Sequence, residues 1–249
     1  MERAGIVTIL LGLIIALLVT GAWVLARKLR RLRSMLRRQE RHVWETHNIF
    51  LTLAGGAALP PPGGWAVSTD LLGEVLRVIA ERRPQCVVEL GSGLSTLVIA
   101  AALRSNGRGH LISIDAEADY AASTRAQLQR QGLAEWADIR VAPLREQSFE
   151  DSSRPWYDMA QLEDLDGVDL LFIDGPPTYL RADIRYPALP FFWKRLRSGA
   201  TVLLDDAARP AERAMSQVWQ RRFIDARFEF LRLEKGALRV TKSSATHPG

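Results

Sequence analysis

The stretch Val87-Val88-Glu89-Leu90-Gly91-Ser92-Gly93-Leu94-Ser95-Thr96, running on into Leu97-Val98-Ile99-Ala100-Ala101-Ala102-Leu103, constrains the fold of this chain more than any other. A short apolar run closed by an acid and two glycines reads as a buried strand. The alanine-rich run after it reads as a helix packed on the sheet to which that strand belongs. Gly91 and Gly93 put no side chain into the connecting turn, so the backbone can approach a ligand at the helix N-terminus. Strand, glycine turn and helix in this order point to an α/β domain with a nucleotide-like cofactor.

Further units follow. Ser68 or Thr69 starts a helix through Arg83, with Leu71, Leu72, Val75, Leu76 and Ile79 on its buried face. After the turn Asn106-Gly107-Arg108-Gly109 comes a strand over 110–115, then a helix from Glu117 to Gln131 that stops at Gly132. Residues 138–142, 168–174 and 200–206 are three more strands, with a helical segment containing Phe191, Phe192 and Trp193 before the last. Pro210 suits the first position of a helix through Arg222. Residues 228–233 and 237–241 are strands joined by only Glu234-Lys235-Gly236, so they must be antiparallel.

The turn itself leaves the cofactor open. In a dinucleotide-binding turn a third glycine faces a pyrophosphate; here that place falls within Leu94-Ser95-Thr96. Glu89 suits a cofactor with a cationic amino group and no phosphate. Glu-Leu-Gly-Ser-Gly resembles the first motif of class I S-adenosylmethionine-dependent methyltransferases. With Gly-Ser-Gly-Leu-Ser-Thr, Asp174-Gly175-Pro176-Pro177 and Leu204-Asp205-Asp206, the resemblance covers residues 65–242. It extends to small bacterial methyltransferases with these strand-end motifs and, more distantly, to the catechol-type O-methyltransferases. The resemblance implies a Rossmann-like α/β sheet of seven strands with an antiparallel terminal hairpin. It also implies S-adenosylmethionine as cofactor, held by Glu89, Gly91, Ser92, Gly93, Ser95, Thr96, Asp115, Ala142 and Asp174.

Ligands in open α/β sheets lie over the carboxyl ends of the strands. Asp115, ending the second strand, is placed to accept from both ribose hydroxyls, which serves NAD as well as S-adenosylmethionine; its bland alternative is a helix N-cap. Ala142-Pro143-Leu144 matches the family position that flanks adenine. Asp174, Asp205 and Asp206 end two strands, with no basic residue within two positions of them. Neighbouring strand ends lie about 5 Å apart, so at least two of these acids should converge, raising one pKa or recruiting a cation such as Mg²⁺ or Ca²⁺; otherwise Asp205 and Asp206 cap the next helix. In the catechol-type enzymes the matching residues hold a divalent ion. The catalytic lysine of that pattern is Pro177 here, which argues against a direct copy of its mechanism. Asp174 and Asp205 are the candidate catalytic residues, and Asp174, Asp205 and Asp206 the candidate metal ligands. Arg181 and Arg185 should overhang the pocket, either clamping an anionic group or solvated. Trp156-Tyr157 is either a substrate wall or edge packing.

Residues 4–26 form a run of 23 without a charge, long enough for a membrane span. Seven arginines and one lysine follow between Arg27 and Arg41, which places the rest of the chain on the cytoplasmic side and offers contacts to anionic lipid. Leu25, Leu29, Leu32, Leu36 and Val43 nearly follow a heptad, leaving open a homodimer or a solvated basic helix. The expected organisation is a single-pass transmembrane helix over 1–26, a basic juxtamembrane helix and linker over 27–59, and a methyltransferase domain over 60–249. The net charge of +5 is no sign of nucleic-acid binding, because residues after 59 carry 24 basic and 25 acidic side chains. Cys86 is the single cysteine, and the four histidines lack metal-ligand spacing.

The sequence therefore reads as a membrane-anchored methyltransferase, with oxygen the favoured acceptor atom and a small-molecule or lipid-like acceptor. Its rivals are a nicotinamide-dependent oxidoreductase and a non-catalytic membrane adaptor that keeps the fold.

Overall fold

The apolar run before Gly91 forms β1 (Cys86–Leu90), and the alanine-rich run forms α3 (Leu94–Asn106), behind α1 (Glu2–Thr52) and α2 (Thr69–Arg82). A computed structural model describes the backbone of residues 2–52, 67–149 and 152–243. Within α1 the side chains at 2–11, 14, 37, 38, 40–42, 44, 45, 48 and 50–52 lie outside the description, as does the expected Gly/Pro linker at 55–64. The chain divides into two units, 1–44 and 45–249.

The second unit continues through β2 (His110–Asp115), α4 (Ala118–Arg130), β3 (Ala137–Val141), β4 (Leu144–Ser148), β5 (Ser153–Tyr157), β6 (Val168–Ile173), α5 (Ala188–Phe192), β7 (Leu196–Leu204), α6 (Pro210–Arg222), β8 (Ala226–Leu231) and β9 (Ala237–Lys242). Seven strands form one sheet in the order β3-β2-β1-β6-β7-β9-β8. All its pairings are parallel except those of β9, which runs antiparallel to both β7 and β8. The expected terminal hairpin is therefore the β8–β9 pair, with β9 inserted beside β7.

Period-two alternation explains how the core divides. Val87, Leu170, Phe172 and Leu203 face one side and pack with α2 and α3 through Leu71, Leu72, Ile79, Leu97 and Ile99. Val88, Leu90, Leu171, Ile173, Val202 and Leu204 face the other, with Trp156, Leu189, Phe192 and Trp219. The chain crosses from one half of the sheet to the other between β1 and β6, so their carboxyl ends form the switch point where such folds bind ligands.

The β4–β5 hairpin, a separate two-stranded sheet, was not expected. Arg145-Glu146-Gln147 shows no apolar alternation, and Pro155 argues against a strand except at an edge. It carries Trp156 and Tyr157 into the core, both essentially inaccessible to solvent.

The expected transmembrane helix is not found: among the described residues no helix is long and apolar enough to cross a membrane. Residues 4–11 and 14 of the expected span lie outside the described side chains, and what remains up to Ala26 is shorter than the roughly 20 apolar residues a bilayer requires.

Candidate active site

The site begins with two backbones pressed together. Gly91 has φ +98, and a Cβ there would lie 3.1 Å from the Gly175 nitrogen. A Cβ at Gly175 would collide with the Tyr157 hydroxyl. Gly91 N donates to the Ile114 carbonyl at 2.8 Å, while Asp174 N and Gly175 N donate to the Leu90 carbonyl at 3.0 and 2.6 Å. The ends of β1, β2 and β6 are thereby tied into the floor of a cavity of about 220 Å³. Ser92, Asp115, Tyr157, Asp174, Arg185 and Asp206 are among the residues that line it.

On the β1 side, Glu89 is completely buried. Its Oε2 accepts from the hydroxyls of Thr96 and Ser113, both at 2.6 Å, whereas its Oε1 is buried without a hydrogen-bond partner. Burial pushes the carboxyl up to about 7, against the opposing pull of the nearby Ser113, Ser95 and Thr96 hydroxyls. Thr96 Oγ1 also accepts from Gly93 N at 2.9 Å, which fixes the first turn of α3. A Cβ at Gly93 would meet nothing within 4 Å, so the turn opens onto free space. Asp115 Oδ2 accepts from the Ser92 N–H at 3.1 Å and from the Ser92 hydroxyl, and Oδ1 accepts from Glu117 N at 3.0 Å. The carboxylate is thus held at the cavity wall in one orientation. An unpartnered buried carboxylate oxygen, an open glycine turn and a fixed aspartate at the end of the second strand fit S-adenosylmethionine.

On the β6–β7 side, Asp174, Asp205 and Asp206 each place a carboxylate oxygen within 4.8 Å of the others. Asp206 sits at φ +60, and its N–H donates to Asp205 Oδ1 at 2.6 Å. Burial first, and then the Asp205 and Asp206 charges, hold Asp174 well above the usual carboxylate range. Burial and Asp206 push Asp205 up to about 6.

Two cations from further along the chain meet these acids. Arg185, almost wholly buried, donates through Nε to the Pro176 carbonyl at 3.1 Å and through Nη1 to the Asp205 carbonyl at 3.4 Å. Its Nη2 donates to the Asp174 carbonyl and lies 3.4 Å from Asp174 Oδ1, and its Nη1 is 3.5 Å from Asp206 Oδ2. Arg209 Nη1 approaches Asp206 Oδ2 at 2.9 Å. Three carboxylates thus face two guanidiniums. The all-oxygen donor set fits a divalent ion of the Mg²⁺ type, and the arginines already compensate much of its charge.

The structure brings Gly91, Ser92, Asp115, Asp174 and Asp206 onto the cavity wall. Glu89, Ser95 and Thr96 stand buried behind the turn, and Asp205 is buried behind Asp206. Ala142 is buried in the core; Leu144, two residues on, is the one that reaches the cavity. Arg185 reaches the cavity as expected, but it is buried and paired with the acids rather than solvated, while Arg181 is exposed and pairs with Asp183. Sequence reasoning missed Ser113, whose only signal is a hydroxyl in an apolar strand. It also missed Arg209, whose role depends on the turn before α6.

Residues 88–207, just under half of the chain, match the family model described as a methyltransferase domain. No curated protein matches the chain. Among solved structures, the O-methyltransferase TomG of Streptomyces achromogenes, in complex with SAM, is 20% identical at a TM-score of 0.55, over 72% of this chain and 82% of that one. An O-methyltransferase of Bacillus cereus in complex with SAH is 17% identical at 0.55, over 80% and 90%. The SAH-bound methyltransferase PaMTH1 of Podospora anserina is 14% identical at 0.58, over 80% and 88%. At these identities the likeness is one of fold: a Rossmann-like methyltransferase sheet with an antiparallel hairpin. Together with the family match, it supports a SAM-dependent methyltransferase.

Proposed function

We propose that the chain is a membrane-anchored S-adenosylmethionine-dependent methyltransferase that methylates a hydroxyl oxygen of a small-molecule or lipid-like acceptor. The observation that carries this reading is the acid cluster of Asp174, Asp205 and Asp206, two of which, Asp174 and Asp206, line the same cavity as the Asp115 carboxylate and Gly91-Ser92.

Asp115 would accept from the ribose hydroxyls, and Glu89, buried behind the turn, is the candidate counter-charge for the cofactor's amino group. S-adenosylmethionine, when bound, supplies a sulfonium methyl already activated for in-line transfer, so the protein mainly aligns the acceptor and excludes water. Asp174 would take the proton that the acceptor hydroxyl gives up on methylation. Burial and the neighbouring acids hold its pKa well above the usual carboxylate range, which makes its carboxylate a stronger base. A Mg²⁺-type ion on the three carboxylates would instead lower the pKa of the acceptor hydroxyl.

The anchor is residues 4–26, an uncharged run whose Leu13, Leu17, Leu18 and Trp23 are exposed, followed by the basic stretch 27–41. Orientation by that stretch puts the catalytic unit on the cytoplasmic side.

The test is turnover of a labelled methyl donor on membrane extracts. Incorporation that Asp174→Asn abolishes supports the reading, and loss on chelation with recovery in Mg²⁺ assigns the metal-assisted form. Cofactor binding with no transfer to any extract would identify a non-catalytic adaptor instead.

A further inference from the structure

At the opposite end of the sheet, where the strands begin, four arginines line a second cleft of about 420 Å³. Arg82 and Arg83 come from the end of α2, and Arg108 from the turn before β2. Arg197 comes from the stretch where the β6–β7 register jumps from Val168↔Leu196 to Leu170↔Thr201.

Tight backbone packing brings them together. Gly109 has φ +93, and a Cβ there would run into the Pro84 carbonyl, so glycine lets the turn carrying Arg108 close on the loop carrying Arg83. A Cβ at Gly167 would lie 3.2 Å from Nε and Nη2 of Arg197, so that guanidinium rests on bare backbone. Arg83 itself holds φ +47, where L side chains are disfavoured and where a helix C-terminus commonly places glycine. Its Nη2 donates to the Asn106 carbonyl at 2.8 Å, two residues before Arg108.

The only acid lining the cleft is Asp169. Its Oδ2 already accepts from Gln85 N and Cys86 N at 2.8 and 3.0 Å, and its Oδ1 is 3.5 Å from Arg197 Nη1. The residues after 59 are nearly balanced in charge, so this grouping is local. Four arginines against one engaged carboxylate give the cleft an excess of positive charge that an anion would offset. The planar fork of guanidinium matches phosphate oxygens in pairs.

We propose that this cleft is a second binding site, specific for a phosphate-bearing anion, at the end of the sheet opposite the methyl-transfer cavity. The phosphate belongs either to a soluble ligand or to a lipid headgroup.

The test titrates inorganic phosphate into the full chain in detergent micelles, at ionic strength held constant with sodium chloride. The expected result is a saturable rise in melting temperature that chloride does not reproduce. Arg108→Gln and Arg197→Gln should each weaken the apparent affinity by about tenfold, the loss of one charge-assisted contact. Arg83→Gly should weaken it too, while keeping or raising the phosphate-free melting temperature, because glycine relieves the left-handed backbone. That combination separates loss of a ligand contact from loss of fold. In nanodiscs of phosphatidylglycerol, a headgroup occupant would leave no phosphate response, whereas a soluble ligand's site would respond as in phosphatidylcholine. Absence of a saturable phosphate effect in micelles, or variants that respond like the wild type, would overturn the proposal.

Discussion

Glu89 concentrates the physics of the site in one side chain. Its carboxyl is buried, half-partnered and pushed up to about 7, so the folded protein holds a proton that the unfolded chain releases nearer the ordinary glutamate value. The stabilisation is complete below that ordinary value and is lost as pH rises towards about 7. In denaturant titrations of the cofactor-free protein, stability should therefore fall between pH 5 and 8, and Glu89→Gln should remove roughly 3 kcal/mol of that fall. An unchanged slope would mean that Glu89 is ionised in the folded protein. Arg185 is the complementary case. Arg185→Met leaves Asp174 and Asp206 without their buried cation and should cost about 3–5 kcal/mol. The loss should be smaller at pH 5 than at pH 8, because protonation relieves the repulsion among the acids. Equal losses at both pH values would contradict the pairing.

At the scale of elements, what the sequence made legible depended on where the signal was local. The 110–115 strand and the helix ending at Arg222 carry their own boundaries: Gly109 and the acid Asp115 for the first, and Pro210 at the start of the second. The apolar runs of β1 and β6 mark them as strands buried on both faces, but their neighbourhood in the sheet was not legible, because such runs do not set strand order. The β4–β5 hairpin escaped because it is held by what it packs against, not by its own pattern. Trp156 meets Phe149, Tyr157 and Phe191 with ring centroids 5.9, 5.7 and 5.2 Å away. Its reading as a substrate wall therefore gives way to core packing, and Trp156→Ala should cost about 3–5 kcal/mol in chemical denaturation. A loss below 1 kcal/mol would place the side chain outside the core. The acids were legible as strand ends and Arg185 as a cavity residue, but its pairing with the acids and the approach of Arg209 were not, because both depend on tertiary folding.

For the whole molecule, charge and hydropathy divide the chain before any fold is considered. The basic excess lies in the first 59 residues, beside the uncharged run, and the remainder is close to neutral. A C-terminal reporter active only outside the cytoplasm should stay silent in intact cells, and a signal from it would reverse the proposed orientation. The central claim, however, concerns the cofactor, because the same strand–turn–helix opening also serves nicotinamide enzymes. Calorimetric titration of the full chain in detergent with S-adenosylhomocysteine and with NAD tests it most directly. The expected result is micromolar affinity for S-adenosylhomocysteine and far weaker binding of NAD. Asp115→Ala should lose about 10²- to 10⁴-fold, since each of the two ribose hydrogen bonds to a charged acceptor is worth about 1.5–3 kcal/mol. Tighter binding of NAD, or S-adenosylhomocysteine binding that does not depend on Asp115, would contradict the assignment.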